Sequence, residues 1–223
     1  MNKQYLFLAG MPRAGSTLFT SILNQNPKIF ASSSSPVCNM LYWSHQLWHQ
    51  QIALKANPNP TAVQSVLSSI ISSFYSTRPE PIIIDKSFSW GTPENLSVLI
   101  EALGYIPKFI VMDRPVNEMI NSYQNLVKKS PQFDGNIEQD FIGTAVDSGQ
   151  NLLTQIPKKC FVVSYERLCN DTTTLLAEFY DFIEERNYPH DLSHIVNTCS
   201  DDDSVWGLTD MHKIESTIRY KKK

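Results

Sequence analysis

The chain has 223 residues, 42% of them hydrophobic, and a formal net charge of −3. Such a length buries roughly 70% of the extended-chain surface, so a single domain over residues 1–223 is expected, and the mild acidity offers no general attraction to nucleic acid or an anionic membrane. No apolar run approaches the roughly 18 residues of a membrane span, and Cys38, Cys160, Cys169 and Cys199 have no paired spacing, so a cytoplasmic protein with reduced thiols is expected.

In chain order, Leu6-Phe7-Leu8-Ala9 predicts a buried strand. Gly10 to Gly15 reads as a tight loop, and Ser16-Thr17-Leu18 opens a helix through Leu23. Asn24-Gln25-Asn26-Pro27 predicts a turn and Ala31 to Pro36 a loop of small residues. Met40 to Leu54 predicts an aromatic-rich helix with Tyr42, Trp43, His45, Trp48 and His49, broken by Asn57-Pro58-Asn59-Pro60. Val63, Val66, Leu67, Ile70, Ile71 and Phe74 form one apolar helix face. Ile82-Ile83-Ile84 is a second strand ending in Asp85-Lys86, and Thr92-Pro93 starts a helix as N-cap and first-turn proline. Lys108 to Met112 is a third strand, followed by Asp113-Arg114-Pro115 and a helix packed through Met119, Ile120, Tyr123, Leu126 and Val127. A helix from Ile137 to Ile156, interrupted near Gly143 or Gly149, a fourth strand at Phe161-Val162-Val163 and a helix after Asp171 complete the pattern. Strands alternating with helices imply an α/β class with a central parallel sheet flanked by helices.

Backbone N–H groups in the first turn of a helix are unpaired, and the helix dipole adds partial positive charge. The first strand–loop–helix unit is therefore an anion site. Gly10, four residues and Gly15 match the nucleotide loop pattern G-x-x-x-x-G-K-[ST] except at the lysine, which is Ser16 here. The loop's side-chain cation is Arg13, and only Thr17 remains of the Lys-Ser/Thr pair, which counts against Mg-nucleotide hydrolysis. An always-charged planar guanidinium suits an anion transferred without metal. Ligands of open parallel sheets bind beyond the C-terminal strand ends. Three strand exits converge there: Arg13 with the loop amides, Asp85-Lys86, and Arg114. Ser122 follows Arg114 by eight residues, roughly 10 Å from its helix start, a gap a long arginine bridges to share one phosphate.

The run Gly10-Met11-Pro12-Arg13-Ala14-Gly15-Ser16-Thr17-Leu18 resembles the 5′-phosphosulfate loop of sulfotransferases, in particular the branch that includes tyrosylprotein sulfotransferases and many bacterial and phage-encoded members. The resemblance implies a P-loop-type three-layer sandwich. It also implies sulfuryl transfer from 3′-phosphoadenosine 5′-phosphosulfate to an acceptor hydroxyl or amine, with 3′-phosphoadenosine 5′-phosphate as product. It carries Gly10, Pro12, Arg13, Ala14, Gly15, Ser16 and Thr17 to the donor's 5′ end, and Arg114 and Ser122 to its 3′-phosphate. Lys86, in Ile84-Asp85-Lys86-Ser87, would neutralise charge on the bridging oxygen together with Arg13, and Tyr165 would border the adenine. Arginine and lysine then do the work of Mg, and no metal is required.

The chain departs from the family at the general base. The histidine of the cytosolic Lys-x-His segment is Phe88 here, and the region of the tyrosylprotein branch's glutamate is Ser32 to Ser35. His45, His49, Asp85 and Glu94 are the candidates, His45 first among them. His190 and His194 have the spacing of a metal pair, with Cys199 and Asp201-Asp202-Asp203 downstream, but a helix end and acidic turn is the expected reading. The resemblance also offers Ser200 or Ser204 for the transition state and Arg219 for the 3′-phosphate, while Lys221-Lys222-Lys223 reads as a solvated tail. Tyr42, Trp43, Trp48 and Trp90 are either core or an aromatic wall for the acceptor. The expected partner is a small-molecule or peptide acceptor, with no nucleic acid or membrane, and the oligomeric state is not encoded in these motifs. Two other readings stay open: a small-metabolite kinase using Mg-ATP, and a nucleotide-binding module without turnover.

Overall fold

Five short runs pair side by side, all parallel, in the computed structural model, which describes residues 3–10, 12–131, 133 and 143–218. The central strand β1 (Gln4–Gly10) lies between β3 (Ile82–Lys86) and β4 (Lys108–Asp113), with β2 (Ile29–Ala31) and β5 (Cys160–Ser164) at the edges, in the order β2-β3-β1-β4-β5. Side chains alternate across a strand, so each strand feeds two cores. Leu6, Leu8, Ile82, Ile84, Ile110 and Met112 face α1 (Ser16–Leu23) and α9 (Thr172–Ile183), joined by Met119 of α6 (Val116–Val127) and Leu168 of α8 (Tyr165–Asn170). Phe7, Ala9, Ile83, Phe109 and Val111 face α2 (Val37–Gln50), α4 (Pro60–Phe74), α5 (Pro93–Leu103) and α7 (Gly143–Gln155). The result is the α/β three-layer sandwich with helices on both sheet faces.

Local chemistry sets the helix boundaries. The Asn59 side chain accepts from the Ala62 N–H ahead of Pro60, and Thr92 accepts from Asn95 N–H ahead of Pro93, each satisfying one orphan donor of a first turn. Ser35 Oγ accepts from Val37 N–H at 3.1 Å, so α2 starts three residues before the expected Met40. It ends at Gln50, because Gln51 is extended (φ −73°, ψ 127°), and α3 (Ile52–Ala56) follows as a separate turn. Strand β2 is an addition to the four expected strands. With three residues it is too short for a periodic signal, and it exists because it pairs with β3. Helix α7 runs through Gly149 without interruption, and the expected helical residues 137–142 lie outside the described residues. No helix among the described residues is long and apolar enough to cross a membrane.

The chain beyond α9 is sewn back onto the turn after α1. Asn26 Nδ2 donates to Tyr180 Oη (3.0 Å), Tyr180 Oη meets His190 Nε2 (2.9 Å), and Gln25 exchanges two hydrogen bonds with the Asp191 backbone. Burial lowers the His190 pKa to about 4, against the opposing pull of the Ile22 backbone. His190 therefore folds neutral, whereas the unfolded chain protonates it near its ordinary value of about 6.5. The stability it contributes is present above about pH 6.5 and is lost as the pH falls toward 4. Urea unfolding between pH 4 and 7 is expected to show a smaller loss of stability on acidification in His190→Gln than in the wild type. Equal slopes would contradict the assignment.

Candidate active site

The loop after β1 is shaped by two glycines. A Cβ at Gly10 would lie 2.9 Å from Met112 Cβ on the neighbouring strand, and one at Gly15 would lie 2.5 Å from Tyr165 Cδ2. Gly15 caps α1 in the left-handed region (φ 89°), and Arg13 also has positive φ (64°). The turn so formed aims the first amides of α1 outward. Gly10, Pro12, Arg13, Gly15, Ser16 and Thr17 all line one cavity of about 1130 Å³. Ala14 does not line it; its side chain is wholly buried in the core.

The same cavity receives Lys86 from the end of β3, Arg114 from the exit of β4, Ser122 from α6 and Tyr165 from the exit of β5. The structure thus brings these residues, all marked in the sequence, to one cavity. These groups also contact one another. Arg13 Nε donates to Ser122 Oγ (3.2 Å), and Arg13 Nη1 donates to the carbonyl of Met211. Arg114 Nη1 donates to the Arg13 carbonyl (2.7 Å), its Nε donates to Glu118 Oε2 (3.1 Å), and its guanidinium lies 4.1 Å from the centre of the Tyr165 ring. Arg114 thereby clamps the loop on which Arg13 sits.

Gathering three cations has an electrostatic cost. Burial lowers the pKa of Arg13, and Arg114 lowers it further. Lys86 is lowered to about 8, chiefly by burial, with Arg13 pushing the same way and Asp201 and Cys199 opposing. A pocket that compresses like charges in this manner is relieved by a polyanion.

Asp85 and Lys86 are sequence neighbours with opposite surroundings, because adjacent residues of a strand face opposite sides. Lys86 reaches the cavity, whereas Asp85 is wholly buried, accepting from Tyr75 Oη (2.5 Å) and Trp90 Nε1 (2.8 Å). Burial raises its pKa against the hydrogen bonds from Ser35, Tyr75 and Trp90. Asp85 therefore holds the wall behind the lysine.

His45 is not brought to the cavity. It faces α5, with Nε2 3.2 Å from Glu101 Oε2 and its ring 4.3 Å from that of His49. Glu94 is exposed at the start of α5 and also lies off the cavity lining. Of the two readings left open for the aromatic residues, core packing holds for Trp48, which packs against the core, and for Trp90, which is buried against Phe7, whereas Trp43 is 67% exposed on the outer side of α2. Phe88, Phe133 and Trp206 line the cavity instead. Ser200 is exposed, Ser204 Oγ donates to Asp202 Oδ1 (2.6 Å), and Arg219 and the lysine tail lie outside the described residues.

The far wall is a strap over residues 199–218, and it supplies functional groups that no local motif marks. His212, 9% exposed, lines the cavity; its Nδ1 is 2.6 Å from Asp203 Oδ1 and its Nε2 is 3.8 Å from Asp201 Oδ2. Asp201 in turn accepts from Ser33 Oγ (2.8 Å) and Ser34 Oγ (2.5 Å). The serine loop thus anchors the strap carrying a histidine. Only the acidic run Asp201-Asp202-Asp203 hints at this in the sequence, and the partner histidine stands nine residues beyond it.

A sequence profile described as the sulfotransferase family matches residues 6–189. Among solved structures, the sulfotransferase domain from the curacin biosynthetic pathway superposes with a TM-score of 0.63 at 18% identity, covering 98% of this chain and 88% of that one. The sulfotransferase domain of the Synechococcus PCC 7002 olefin synthase gives 0.56 at 18% identity over 84% and 75% of the two chains. The sulfotransferase from Alicyclobacillus acidocaldarius gives 0.56 at 13% identity over 92% and 89%. At these identities the likeness is one of fold. No curated protein matches the chain.

The division between Asp85 and Lys86 is measurable. Asp85→Ala leaves the Tyr75 hydroxyl and Trp90 indole without their acceptor and is expected to cost about 3 kcal/mol of stability. Lys86→Met removes a cation pressed by Arg13 and is expected to leave stability unchanged or slightly raised. Urea denaturation of the two variants checks this, and equal losses would overturn the division.

Proposed function

Because the chain belongs to the sulfotransferase family, we propose that it transfers a sulfuryl group from 3′-phosphoadenosine 5′-phosphosulfate to a hydroxyl or amine of a small-molecule or peptide acceptor, by in-line displacement and with no metal required. The observation that supports this most is the convergence of Arg13, Lys86 and Arg114 on one cavity beside the open first turn of α1. The fit to a donor with phosphates at two ends rests on the same residues. The amides of Gly15, Ser16 and Thr17 with Arg13 suit the 5′ end; Arg114 and Ser122 suit the 3′-phosphate; Tyr165 suits the base.

The donor supplies an activated sulfuryl group and a phosphate leaving group. The chain's own contribution is position and charge. Lys86 and Arg13 hold positive charge beside the loop, where negative charge grows on the leaving oxygen. His212 takes the acceptor's proton on Nε2, and Asp203, bonded to Nδ1, fixes the ring and stabilises the imidazolium. Its place on the cavity wall favours it over His45, His49, Asp85 and Glu94.

Thermal unfolding with 3′-phosphoadenosine 5′-phosphate, compared with ATP with and without Mg, tests the donor class. At about 100 times its dissociation constant a ligand adds roughly 2.7 kcal/mol, or several degrees. The bisphosphate is expected to stabilise in EDTA, and Arg114→Ala to abolish the effect; stabilisation by Mg-ATP alone would favour the kinase reading instead.

Turnover separates an enzyme from a binding module. With a panel of phenol, sugar and peptide acceptors, Lys86→Met and His212→Gln are each expected to lower turnover by about 10²-fold or more while donor affinity changes little. His45→Gln is expected to retain activity. Retained turnover in His212→Gln would remove that residue from the base role.

A further inference from the structure

The strap holds a second kind of chemistry. Cys199, Asp201 and His212 bring a sulfur, a carboxylate oxygen and an imidazole nitrogen within 4.8 Å of one another. Zinc bound at about 2.0–2.3 Å in a tetrahedron needs ligand atoms about 3.3–3.8 Å apart, and His212 Nε2 already stands 3.8 Å from Asp201 Oδ2.

The donors are also held in place. Asp203 binds both the Nδ1 and the backbone N–H of His212 (2.6 and 3.1 Å), which turns Nε2 toward Asp201. This carboxylate–imidazole pairing is the outer support that orients metal-binding histidines. Ser33 and Ser34 fix the Asp201 carboxylate, and the Ser33 hydroxyl also reaches the Cys199 thiol. His190 and His194, whose spacing suggests a metal pair, do not take part: His190 is bonded to Tyr180 and His194 is exposed. All three donors lie beyond residue 189, where the family match ends.

We propose that Cys199, Asp201 and His212 form a binding site for a thiophilic divalent cation, with zinc as the best match and the fourth coordination position facing the cavity. A sulfur and an imidazole nitrogen disfavour magnesium and calcium, which prefer oxygen throughout. Binding displaces the thiol proton of Cys199, and the ion then meets the carboxylates of Asp201 and Asp203. Lys86 is the opposing group, because its ammonium is attracted to Asp201 and Cys199 as well. The ion and the ammonium therefore compete for the same anions. For catalysis, and resting on the sulfotransferase reading, the consequence is inhibition: an ion on His212 Nε2 occupies the nitrogen that would take the acceptor's proton.

Titration of the full chain with Co²⁺, without donor or acceptor, tests the site independently of any turnover. One equivalent is expected to produce a thiolate-to-cobalt absorption band that Zn²⁺ displaces. Cys199→Ser should abolish the band, whereas Cys169→Ser, at the cysteine that lines the cavity, should retain it. Asp203→Asn should weaken binding by about tenfold or more, and Lys86→Met should tighten it. Circular dichroism confirms that each variant is folded. A wild type without the band, or a band unchanged in Cys199→Ser or His212→Gln, overturns the site. If transfer is found, saturating Zn²⁺ should suppress it in the wild type and spare it in Cys199→Ser. Metal binding by a chain without transfer activity would leave the site standing and defeat the sulfotransferase reading alone.

Discussion

A parallel sheet delivers all of its strand exits at one edge, and everything in this cavity depends on that constraint. The register pairs Leu8 with Lys86, Gly10 with Met112, and Asp113 with Ser164, so the chain leaves adjacent strands at nearly the same height. The groups at those exits are then forced into company: the glycine loop, Lys86, Arg114 and Tyr165. Among the described residues no ion pair joins these groups to one another; like charges are pressed against each other by backbone hydrogen bonds and by two apolar cores that hold the strands in register. Arg114 makes the arrangement tolerable by directing its own donors to the Arg13 carbonyl and Glu118 while its face rests on Tyr165.

How much of this was legible in the sequence depends on the range of the interactions involved. The loop is local chemistry, so its glycines, its arginine and the helix after it could be located from a dozen consecutive residues. The sheet could be anticipated because strands buried on both faces read as unbroken apolar runs. Strand β2 could not, since three residues gain their structure only from a partner about fifty positions away. The separation of Asp85 from Lys86 was written in the strand period, yet which face held Tyr75 and Trp90 was not.

His212 marks the limit of such reasoning. Its role is set by Asp203 on one side and Asp201 on the other, and Asp201 in turn is placed by two serines more than 160 positions earlier. Histidines four apart on a helix draw attention because their spacing is visible. Yet His45 lies against α5, and His190 is bonded to a tyrosine in the packing under α1. Proximity in the chain was a poor guide where the geometry is made by a strap without regular helix or strand beyond a single turn.

The strap divides the protein into parts that can diverge at different rates. The sheet, its loops and its helices are interlocked, and a change in Phe7 or Gly15 disturbs several neighbours at once. Residues 199–218 are tied down at a few points, by polar contacts of Asp201 to the serine loop, Met211 to Arg13 and Thr209 to Ser130, and by Leu208, Ile214 and Ile218 against apolar clusters. A segment fastened in this way tolerates replacement between its anchors. Lineages descended from such a scaffold could therefore exchange what they act upon by redrawing one wall, while the opposite wall and the core beneath it pass on unaltered.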